Sequence, residues 1–208
     1  METTKRPPPE TRLADLPDDL PDDLPDDLPE KERYTYADYQ QLPEGAPYQL
    51  IDGSLIMAPV PATRHQIVHA RLFLALAELV TRHELGQVMS APVDVKLSES
   101  DVLQPDLVFV SEARLDVIGE QAIDGAPDLV MEVLSPSTAH HDLTTKKRLY
   151  EVHGVQEYWI IDPDSRTVEV HANTDTGFTQ HARQVDDGTA TSALLDALAV
   201  ELNTLFAS

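Results

Sequence analysis

The chain has 208 residues, no cysteine and a formal net charge of −22. This length suits one domain with a tail, and the lack of cysteine excludes disulfides and thiolate metal sites. The charge argues against tight non-specific binding to nucleic acid, because such binding depends on Lys and Arg at the phosphates. No apolar stretch reaches transmembrane length and the N-terminus has no apolar signal core, so we expect a cytoplasmic protein without membrane contact.

Residues 1–33 are predicted to form a disordered acidic tail. A Pro-Asp-Asp-Leu unit repeats there through Leu28, and residues 1–32 hold eleven acidic and four basic residues. Proline blocks helix propagation, the acids repel one another, and little apolar surface is available for burial. A solubilising leader is the simpler interpretation of this tail. An arm that binds a partner or mimics nucleic acid is the functional alternative.

Deleting residues 1–30 should leave the melting temperature of the protein nearly unchanged. The composition of this segment cannot bury enough apolar surface to offset the entropy lost on ordering it. Calorimetry on the full-length and the shortened chain tests this expectation. A large drop in melting temperature after the deletion would mean that the arm packs on the body of the protein.

The folded domain is predicted to cover residues 34–208 and to open with a short helix and a hairpin. Thr35 is a suitable N-cap for a helix that ends before Pro43. Asp52-Gly53 suits a type I′ turn between two short apolar strands. The predicted strands of this hairpin are Tyr48–Ile51 and Ser54–Met57.

A long amphipathic helix is predicted over residues 63–85, with Gly86 as its C-terminal cap. His65 and His69 lie four residues apart on this helix, a spacing that suits two metal ligands on one face. The zinc-protease pattern would require Glu where this chain has Gln66. Histidines that face solvent or a substrate are therefore the simpler interpretation of the pair.

Two predicted strands each begin with a Pro-Asp pair, at residues 104–110 and 127–134. The second run is typical of a strand buried on both faces, and Glu132 interrupts it. Because strand side chains alternate, Glu132 and Leu134 are expected on one face and their immediate neighbours on the other. A buried carboxylate costs free energy unless it is paired or binds a metal.

The remaining segments complete an α/β (α+β) domain in which helices flank a mixed central sheet. Residues 88–97 are predicted as a strand interrupted near Pro92, residues 112–123 as a weak helix with a loop, and residues 142–153 as a helix that ends at Gly154. Further strands are predicted at residues 156–161 and 166–172, and residues 192–206 are compatible with a helix.

Asp106, Glu132 and a lysine of the helix at residues 142–153 form a candidate catalytic set. Carboxylates are suitable ligands for Mg²⁺ or Mn²⁺, which polarise a phosphate and lower the pKa of water. A lysine can orient the water or stabilise the charge that develops on phosphorus. Periodicity allows both Lys146 and Lys147 to border the inward face and does not choose between them. The structural alternatives are a Glu132 paired with a basic residue and an Asp106 that acts as a turn or capping acid.

Several motifs of the chain together resemble the Uma2 family, formerly a domain of unknown function. The matching segments are Tyr48-Gln-Leu-Ile-Asp-Gly53, Thr63-Arg-His65, Ala91-Pro-Val-Asp-Val95, Gln104-Pro-Asp106, Pro127 through Ser137, Lys146 through Tyr150, and Gly154 through Pro163. The resemblance covers roughly residues 34–181. It implies the restriction-endonuclease-like PD-(D/E)xK fold, an endonuclease activity that depends on Mg²⁺ or Mn²⁺, and a nucleic-acid substrate, DNA in the first place.

The resemblance also assigns roles to individual residues. Asp106 matches the Asp of the PD motif and Glu132 the acid of (D/E)xK, so both are expected to bind the metal. Leu134 stands where the usual lysine would be, and Lys146 matches a lysine that the family carries on the next helix, so Lys146 is the expected catalytic lysine. The family commonly has Glu where this chain has Gln49, a poorer metal ligand. Further candidates for the site are Asp94, His65 and Tyr150.

Three functions are compatible with these residues. The leading hypothesis is a Mg²⁺-dependent nuclease that cuts DNA phosphodiesters. The second is a catalytically degenerate nuclease fold that binds nucleic acid or protein, which Gln49, Leu134 and the acidity favour. The third is an interaction protein whose acidic arm carries the function. The sequence does not decide whether the substrate is DNA or RNA, or whether the protein is a homodimer or a monomer.

Overall fold

Mixed β-sheets with helices on their faces form the domain. The structure, a computed structural model, describes residues 31–43, 45–58, 60–136 and 138–207, and the predicted tail up to residue 30 lies outside them. Two residues just before the predicted domain boundary contact the domain. Lys31 forms an ion pair with Asp38 at 2.6 Å, and Arg33 donates a hydrogen bond to the backbone oxygen of Asp52 at 2.9 Å. No described helix is long and apolar enough to cross a membrane.

The secondary structure alternates short helices with strands along the chain. The helices are α1 (Tyr36–Tyr39), α2 (Thr63–His83), α3 (Ala139–His141), α4 (Lys147–His153) and α5 (Leu202–Leu205), with a 3₁₀ helix at Glu112–Val117 and a π-helical turn at Asp142–Lys146. The strands are β1 (Tyr48–Ile51), β2 (Ser54–Met57), β3 (Gly86–Ser90), β4 (Val95–Ser98), β5 (Asp101–Leu103), β6 (Leu107–Ser111), β7 (Ile123–Asp124), β8 (Leu129–Val133), β9 (Glu157–Asp162), β10 (Thr167–Thr174), β11 (Gly177–Val185), β12 (Thr189–Thr191) and β13 (Ala199–Glu201).

The largest sheet has six strands in the order β11-β10-β9-β8-β6-β3. Its central pair, β8 and β9, is parallel, and its other neighbouring pairs are antiparallel. A second sheet has five strands in the order β2-β1-β5-β4-β7, and β12 pairs with β13 in a separate ribbon. The mixed central sheet with flanking helices confirms the predicted fold class.

Strand β8 separates two apolar clusters, because its side chains alternate between the two faces of the sheet. Its odd-numbered residues pack against α2. Val130 and Leu134 belong to the cluster on the opposite face, and alternation puts Glu132 between them on that face. The face of Glu132 is the one that the sequence predicts.

The hairpin of β1 and β2 turns at Asp52 and Gly53. Their φ angles are 49° and 79°, both in the left-handed region that a type I′ turn requires. The predicted hairpin is therefore confirmed down to its turn type. Strand β1 pairs with β5 on its other side and carries Gln49 into the interior of the domain.

Residues 90–94, around Pro92, separate two strands that belong to different sheets. Strand β3 pairs with β6 in the six-stranded sheet, and β4 pairs with β5 and β7 in the five-stranded sheet. The single interrupted strand predicted for residues 88–97 is therefore two strands. Proline cannot donate a ladder hydrogen bond, so it is found at strand ends and bulges rather than within a central strand.

Helix α2 ends two residues before the predicted limit. Glu84, with φ at 53°, takes the left-handed position that the sequence assigns to Gly86. Gly86 instead begins β3, where a Cβ atom would lie 2.1 Å from the backbone oxygen of Val110. Glycine is required here by the close approach of β6, and it does not cap the helix.

The C-terminal segment is mostly a β-ribbon, so the helix considered for residues 192–206 is wrong outside its last turn. Strand β12 pairs with β13, and only Leu202–Leu205 are helical. Strands β5 and β11 were also not predicted, although β11 pairs along the whole of β10. All of these strands depend on pairing partners, which local propensity does not report.

Glu157 joins the C-terminal segment to the central sheet. Its carboxylate is fully buried at the start of β9. It accepts hydrogen bonds from Trp159 Nε1 at 2.6 Å, from Ser192 Oγ at 2.6 Å, and from the backbone N–H groups of Ala193 and Leu194 at 2.5 and 2.9 Å. Four donors thus compensate the desolvation of this carboxylate, and they hold the turn at residues 192–195.

Replacing Glu157 by glutamine should destabilise the protein by about 1–3 kcal/mol, because one buried N–H group would face an amide NH₂ instead of an acceptor. Urea denaturation of both proteins measures this change in the free energy of unfolding. The same substitution at the exposed Glu120 is the control and should have little effect. An equal effect at both positions would contradict the role assigned to Glu157.

Candidate active site

The register of β6 and β8 brings Asp106 and Glu132 side by side at one end of the central sheet. Leu107 lies opposite Met131, so the preceding Asp106 lies opposite Glu132. The Asp106 backbone N–H donates to Glu132 Oε2 at 3.4 Å, and the Val133 N–H donates to Asp106 Oδ2 at 2.7 Å. The two predicted acids are therefore tied together through the backbone of the two strands.

Glu132 is buried, and three groups donate hydrogen bonds to its carboxylate. Oε1 accepts from Lys146 Nζ at 3.0 Å and from the Tyr150 hydroxyl at 2.9 Å, and Oε2 accepts from the Asp106 N–H. Burial raises the pKa of Glu132 to about 8; the Lys146 ammonium opposes this rise, and the Asp142 and Asp106 carboxylates add to it. In the absence of a bound cation, the ionised form of Glu132 is therefore disfavoured by its surroundings.

Lys146 ends the π-helical turn and lies between two carboxylates. Its Nζ is 3.0 Å from Glu132 Oε1 and 2.9 Å from Asp142 Oδ1, and its side chain is 5% exposed. Burial on its own would lower the pKa of Lys146, but Glu132 and Asp142 outweigh burial and raise the pKa above its ordinary value. The lysine is therefore held as a cation in a site with little access to water.

Asp142 is a member of this site that the sequence analysis missed. Its side chain is 3% exposed, its Oδ2 accepts from the Thr138 hydroxyl at 3.3 Å, and its backbone oxygen accepts from the Tyr158 hydroxyl at 3.0 Å. An acid four residues before a candidate lysine was visible in the sequence, because residues at that spacing meet on one helix face. Asp142 and Lys146 are the first and last residues of the π-helical turn, and such turns are frequent at functional sites.

Lys147 lies outside the site. Its Nζ is 3.3 Å from His171 Nε2 and 3.4 Å from His171 Nδ1 on β10. Glu151, one helical turn after Lys147, accepts from the Phe178 N–H at 2.5 Å. Of the two lysines that periodicity left open, Lys146 is the one that contacts Glu132.

The histidines of α2 both contact Asp106. His65 Nε2 is 3.2 Å from Asp106 Oδ2, and His69 Nε2 is 3.1 Å from the Asp106 backbone oxygen and 3.2 Å from Ser90 Oγ. Burial on its own would lower the pKa of His65, but the Asp106 carboxylate outweighs it and raises the pKa. The pair supports Asp106 from the helix side and does not converge on a metal position of its own.

Gln49 and Asp94 are linked to the site through Gln104. Gln49 Oε1 accepts from the Gln104 backbone N–H at 2.9 Å. Asp94 Oδ1 accepts from the Gln104 side-chain amide and from the Tyr39 hydroxyl, both at 2.9 Å. Gln49 thus reaches the cleft directly, whereas Asp94 acts one residue further away. Leu134, at the position of the missing strand lysine, packs in the apolar cluster.

These side chains surround a cleft of about 290 Å³ between the two sheets and the first turn of α2. The residues that line it are Gln49, Ala58, Pro61, Gln66, His69, Ala91, Pro92, Gln104, Asp106, Glu132, Val133, Ser135, Thr138, Asp142 and Lys146. A cleft of this size with convergent carboxylates, an amide and a cation is suited to a charged substrate group.

The carboxylates of Asp106 and Glu132 fit a small hard cation. Within the described residues, no group of three or more His, Cys, Asp or Glu side chains is arranged to hold a metal. Mg²⁺ needs no such group, because it keeps several water ligands and is commonly bound by one or two carboxylates together with substrate phosphates. Two acids that line a cleft able to admit phosphate satisfy this requirement.

The comparisons with known proteins agree with this fold. Residues 36–205 match the Uma2 family, described as putative restriction endonuclease. A crystal structure of a putative nuclease belonging to DUF820 from Anabaena variabilis ATCC 29413, at 1.96 Å resolution, matches with a TM-score of 0.69 and 22% sequence identity, over 83% of this chain and 97% of that chain. At this identity the similarity concerns the fold alone, and no curated protein matches. Since the family match extends over nearly all of the folded domain, this chain belongs to the Uma2 family.

Proposed function

We propose that this protein is a metal-dependent endonuclease that hydrolyses phosphodiester bonds, with DNA as its substrate. The observation that carries the proposal is the contact between Lys146 Nζ and Glu132 Oε1 at 3.0 Å, directly beside Asp106. Two carboxylates and a buried cation in one cleft are the groups that metal-assisted phosphoryl chemistry requires. The cytoplasmic location that we propose would give the enzyme access to DNA.

Asp106 and Glu132 are the proposed ligands of Mg²⁺ or Mn²⁺. Such an ion would neutralise charge on the phosphate and make the attacking water more acidic. Asp106 is held for this role by the Val133 N–H and His65, and Glu132 by Tyr150 and Lys146. These hydrogen bonds fix both carboxylates before the substrate arrives, which removes a reorganisation cost from the reaction.

Lys146 is the proposed catalytic lysine. A lysine ammonium carries three N–H donors; Glu132 accepts one of them at 3.0 Å, and Asp142 forms an ion pair with the ammonium at 2.9 Å. The ammonium keeps a donor for a phosphate oxygen or for the attacking water. Asp142 has the role of a positioning residue, because its carboxylate fixes the ammonium next to Glu132.

Binding of the substrate is expected to depend on this cleft rather than on a basic surface. Nine of the twelve Lys and Arg side chains in the described residues form ion pairs with carboxylates. Few cations are therefore free to neutralise phosphates, and the dependence of DNA affinity on salt should be shallow.

The second candidate function is a degenerate nuclease fold that binds nucleic acid or protein without cleaving it. Leu134 in place of a strand lysine and Gln49 in place of an acid favour this alternative. The burial of Lys146 between two carboxylates favours this alternative as well, because the positive charge of the lysine is already compensated within the protein.

A cleavage assay separates the two functions. The protein is incubated with single-stranded DNA, double-stranded DNA and RNA, in Mg²⁺, in Mn²⁺ and in a chelator, and its oligomeric state is measured in the same buffers. We expect cleavage of DNA that requires the metal and disappears in Glu132→Ala. Equal cleavage by wild-type protein and Glu132→Ala would identify a contaminating nuclease. No cleavage by a folded wild-type protein that binds the substrates would support the degenerate fold.

A further inference from the structure

A hydrogen bond determines which way the side-chain amide of Gln49 is oriented. Gln49 lies on β1, its side chain is largely buried, and it lines the same cleft as Asp106 and Glu132. Its Oε1 accepts the Gln104 backbone N–H at 2.9 Å. A backbone N–H can only donate, so the oxygen of the amide must face Gln104 and the nitrogen must lie on the other side.

Among the described residues, the nitrogen of this amide has no hydrogen-bond partner. Gln49 Nε2 makes no hydrogen bond to any residue in the described part of the chain, and it belongs to a side chain that borders the cleft. An amide NH₂ offers two donors and no acceptor. It therefore suits a ligand that presents oxygen acceptors, and it does not suit a metal ion.

Gln104 is itself held firmly, so the amide of Gln49 cannot turn easily. The Gln104 side-chain nitrogen donates to Asp94 Oδ1 at 2.9 Å and to the Tyr39 hydroxyl at 3.2 Å. The Tyr39 hydroxyl in turn lies 2.9 Å from Asp94 Oδ1 and 2.9 Å from the Tyr48 backbone oxygen. Asp94 and Tyr39 thereby lock the segment that leads into Asp106, and Gln49 is bound to that locked segment.

Charge in the cleft also favours a neutral donor at this position. Three acidic side chains, Asp106, Glu132 and Asp142, line the cleft, against the single ammonium of Lys146. A phosphodiester that enters such a cleft needs donors that do not add negative charge. Gln49 supplies two N–H groups and adds no charge.

From these contacts we infer that Gln49 binds the substrate and not the metal, by donating an Nε2 hydrogen atom to a non-bridging oxygen of a phosphodiester. The inference rests on the proposed function, since it concerns the same cleft. Asp94 and Tyr39 are positioning residues for this contact, because they act only through Gln104.

Two variants of Gln49 test the inference. Gln49→Met keeps the length of the side chain but has no donor, and Gln49→Glu keeps the acceptor for Gln104 but replaces the nitrogen by a charged oxygen. Gln41→Met is the matched control, because Gln41 is an exposed glutamine just after α1. Binding of a fluorescent DNA duplex is measured by anisotropy in Ca²⁺, and the rise in melting temperature with Mg²⁺ is measured without DNA.

We expect Gln49→Met to weaken DNA binding about tenfold, the loss for one hydrogen bond to a charged group, and Gln49→Glu to weaken it further. The Mg²⁺-dependent rise in melting temperature should persist in Gln49→Met, and Gln41→Met should behave as wild type. Unchanged DNA affinity in both Gln49 variants would overturn the inference, and so would loss of the Mg²⁺ response in Gln49→Met. A loss of affinity that depends on base sequence would overturn the assignment to phosphate.

The outcomes for the two proposals can be told apart. If the wild-type protein binds DNA through Gln49 but never cleaves it, the nuclease function fails and the inference on Gln49 stands. If the wild-type protein cleaves DNA and the Gln49 variants bind it normally, only the inference fails.

Discussion

Lys146→Ala should slow phosphodiester cleavage by about 10²- to 10³-fold, the loss typical for removal of one preorganised electrostatic group from an active site. Lys146 Nζ lies 3.0 Å from Glu132 Oε1, and its side chain is 5% exposed, so bulk water has little access to replace it. Single-turnover rates at saturating Mg²⁺ measure the effect without a contribution from product release.

Lys147→Ala is the matched control, because Lys147 is the next residue and contacts His171 instead of Glu132. Its rate should stay close to that of the wild type. Lys146→Ala also leaves Glu132 and Asp142 buried without their cation, so its melting temperature must be measured with its rate. Lys146→Arg keeps the charge and should retain the fold. Equal loss of rate in the variants at positions 146 and 147 would end the assignment of Lys146.

Glu132→Gln should stabilise the metal-free protein at neutral and alkaline pH, raise its melting temperature by several degrees, and abolish stabilisation by Mg²⁺. Burial raises the pKa of Glu132 from an ordinary 4.5 to about 8, so its charge opposes folding. Glutamine can still accept from Lys146 and Tyr150, and Lys146 keeps its ion pair with Asp142 at 2.9 Å. The proposed metal binding would thus require a charge that the fold alone disfavours.

The pH dependence of this effect has a definite sign. Between pH 4.5 and about 8 the unfolded chain has released the Glu132 proton and the folded chain still holds it. Stability therefore falls as pH rises through this window and stays low above it. The difference between Glu132→Gln and wild type should grow over the same window and be small at acid pH. Affinity for Mg²⁺ should rise with pH in the wild-type protein, because the metal requires the ionised carboxylate.

Thermal unfolding in a chelator at several pH values, followed by titration with Mg²⁺, measures both effects. Glu120→Gln removes an exposed carboxylate and should leave the pH dependence unchanged. A lower melting temperature for Glu132→Gln at alkaline pH would mean that the attraction of Lys146 outweighs burial and the neighbouring acids. A Mg²⁺ response that survives the substitution would remove Glu132 from the metal site.

The sequence was sufficient wherever a local pattern has one structural solution. Asp52-Gly53 predicted the turn type, the period of residues 63–85 predicted α2, and strand alternation predicted the face of Glu132. The helix considered for residues 192–206 was wrong because an apolar segment without clear alternation does not reveal its strand-pairing partner. The prediction that Gly86 caps α2 was wrong for a related reason, since the residue is required by its close approach to the backbone of Val110 on another strand.

By itself the sequence determined which residue types are available to the site: two acids that precede or interrupt apolar strands, and two candidate lysines on the next helix. Tertiary structure decided which of them meet. The register of β6 against β8 set Asp106 opposite Glu132, and the packing of residues 142–153 placed Lys146, rather than Lys147, against that carboxylate, with Asp142 against Lys146. Register and helix rotation are set by packing across the whole domain, and a shift of one residue in either would separate these groups.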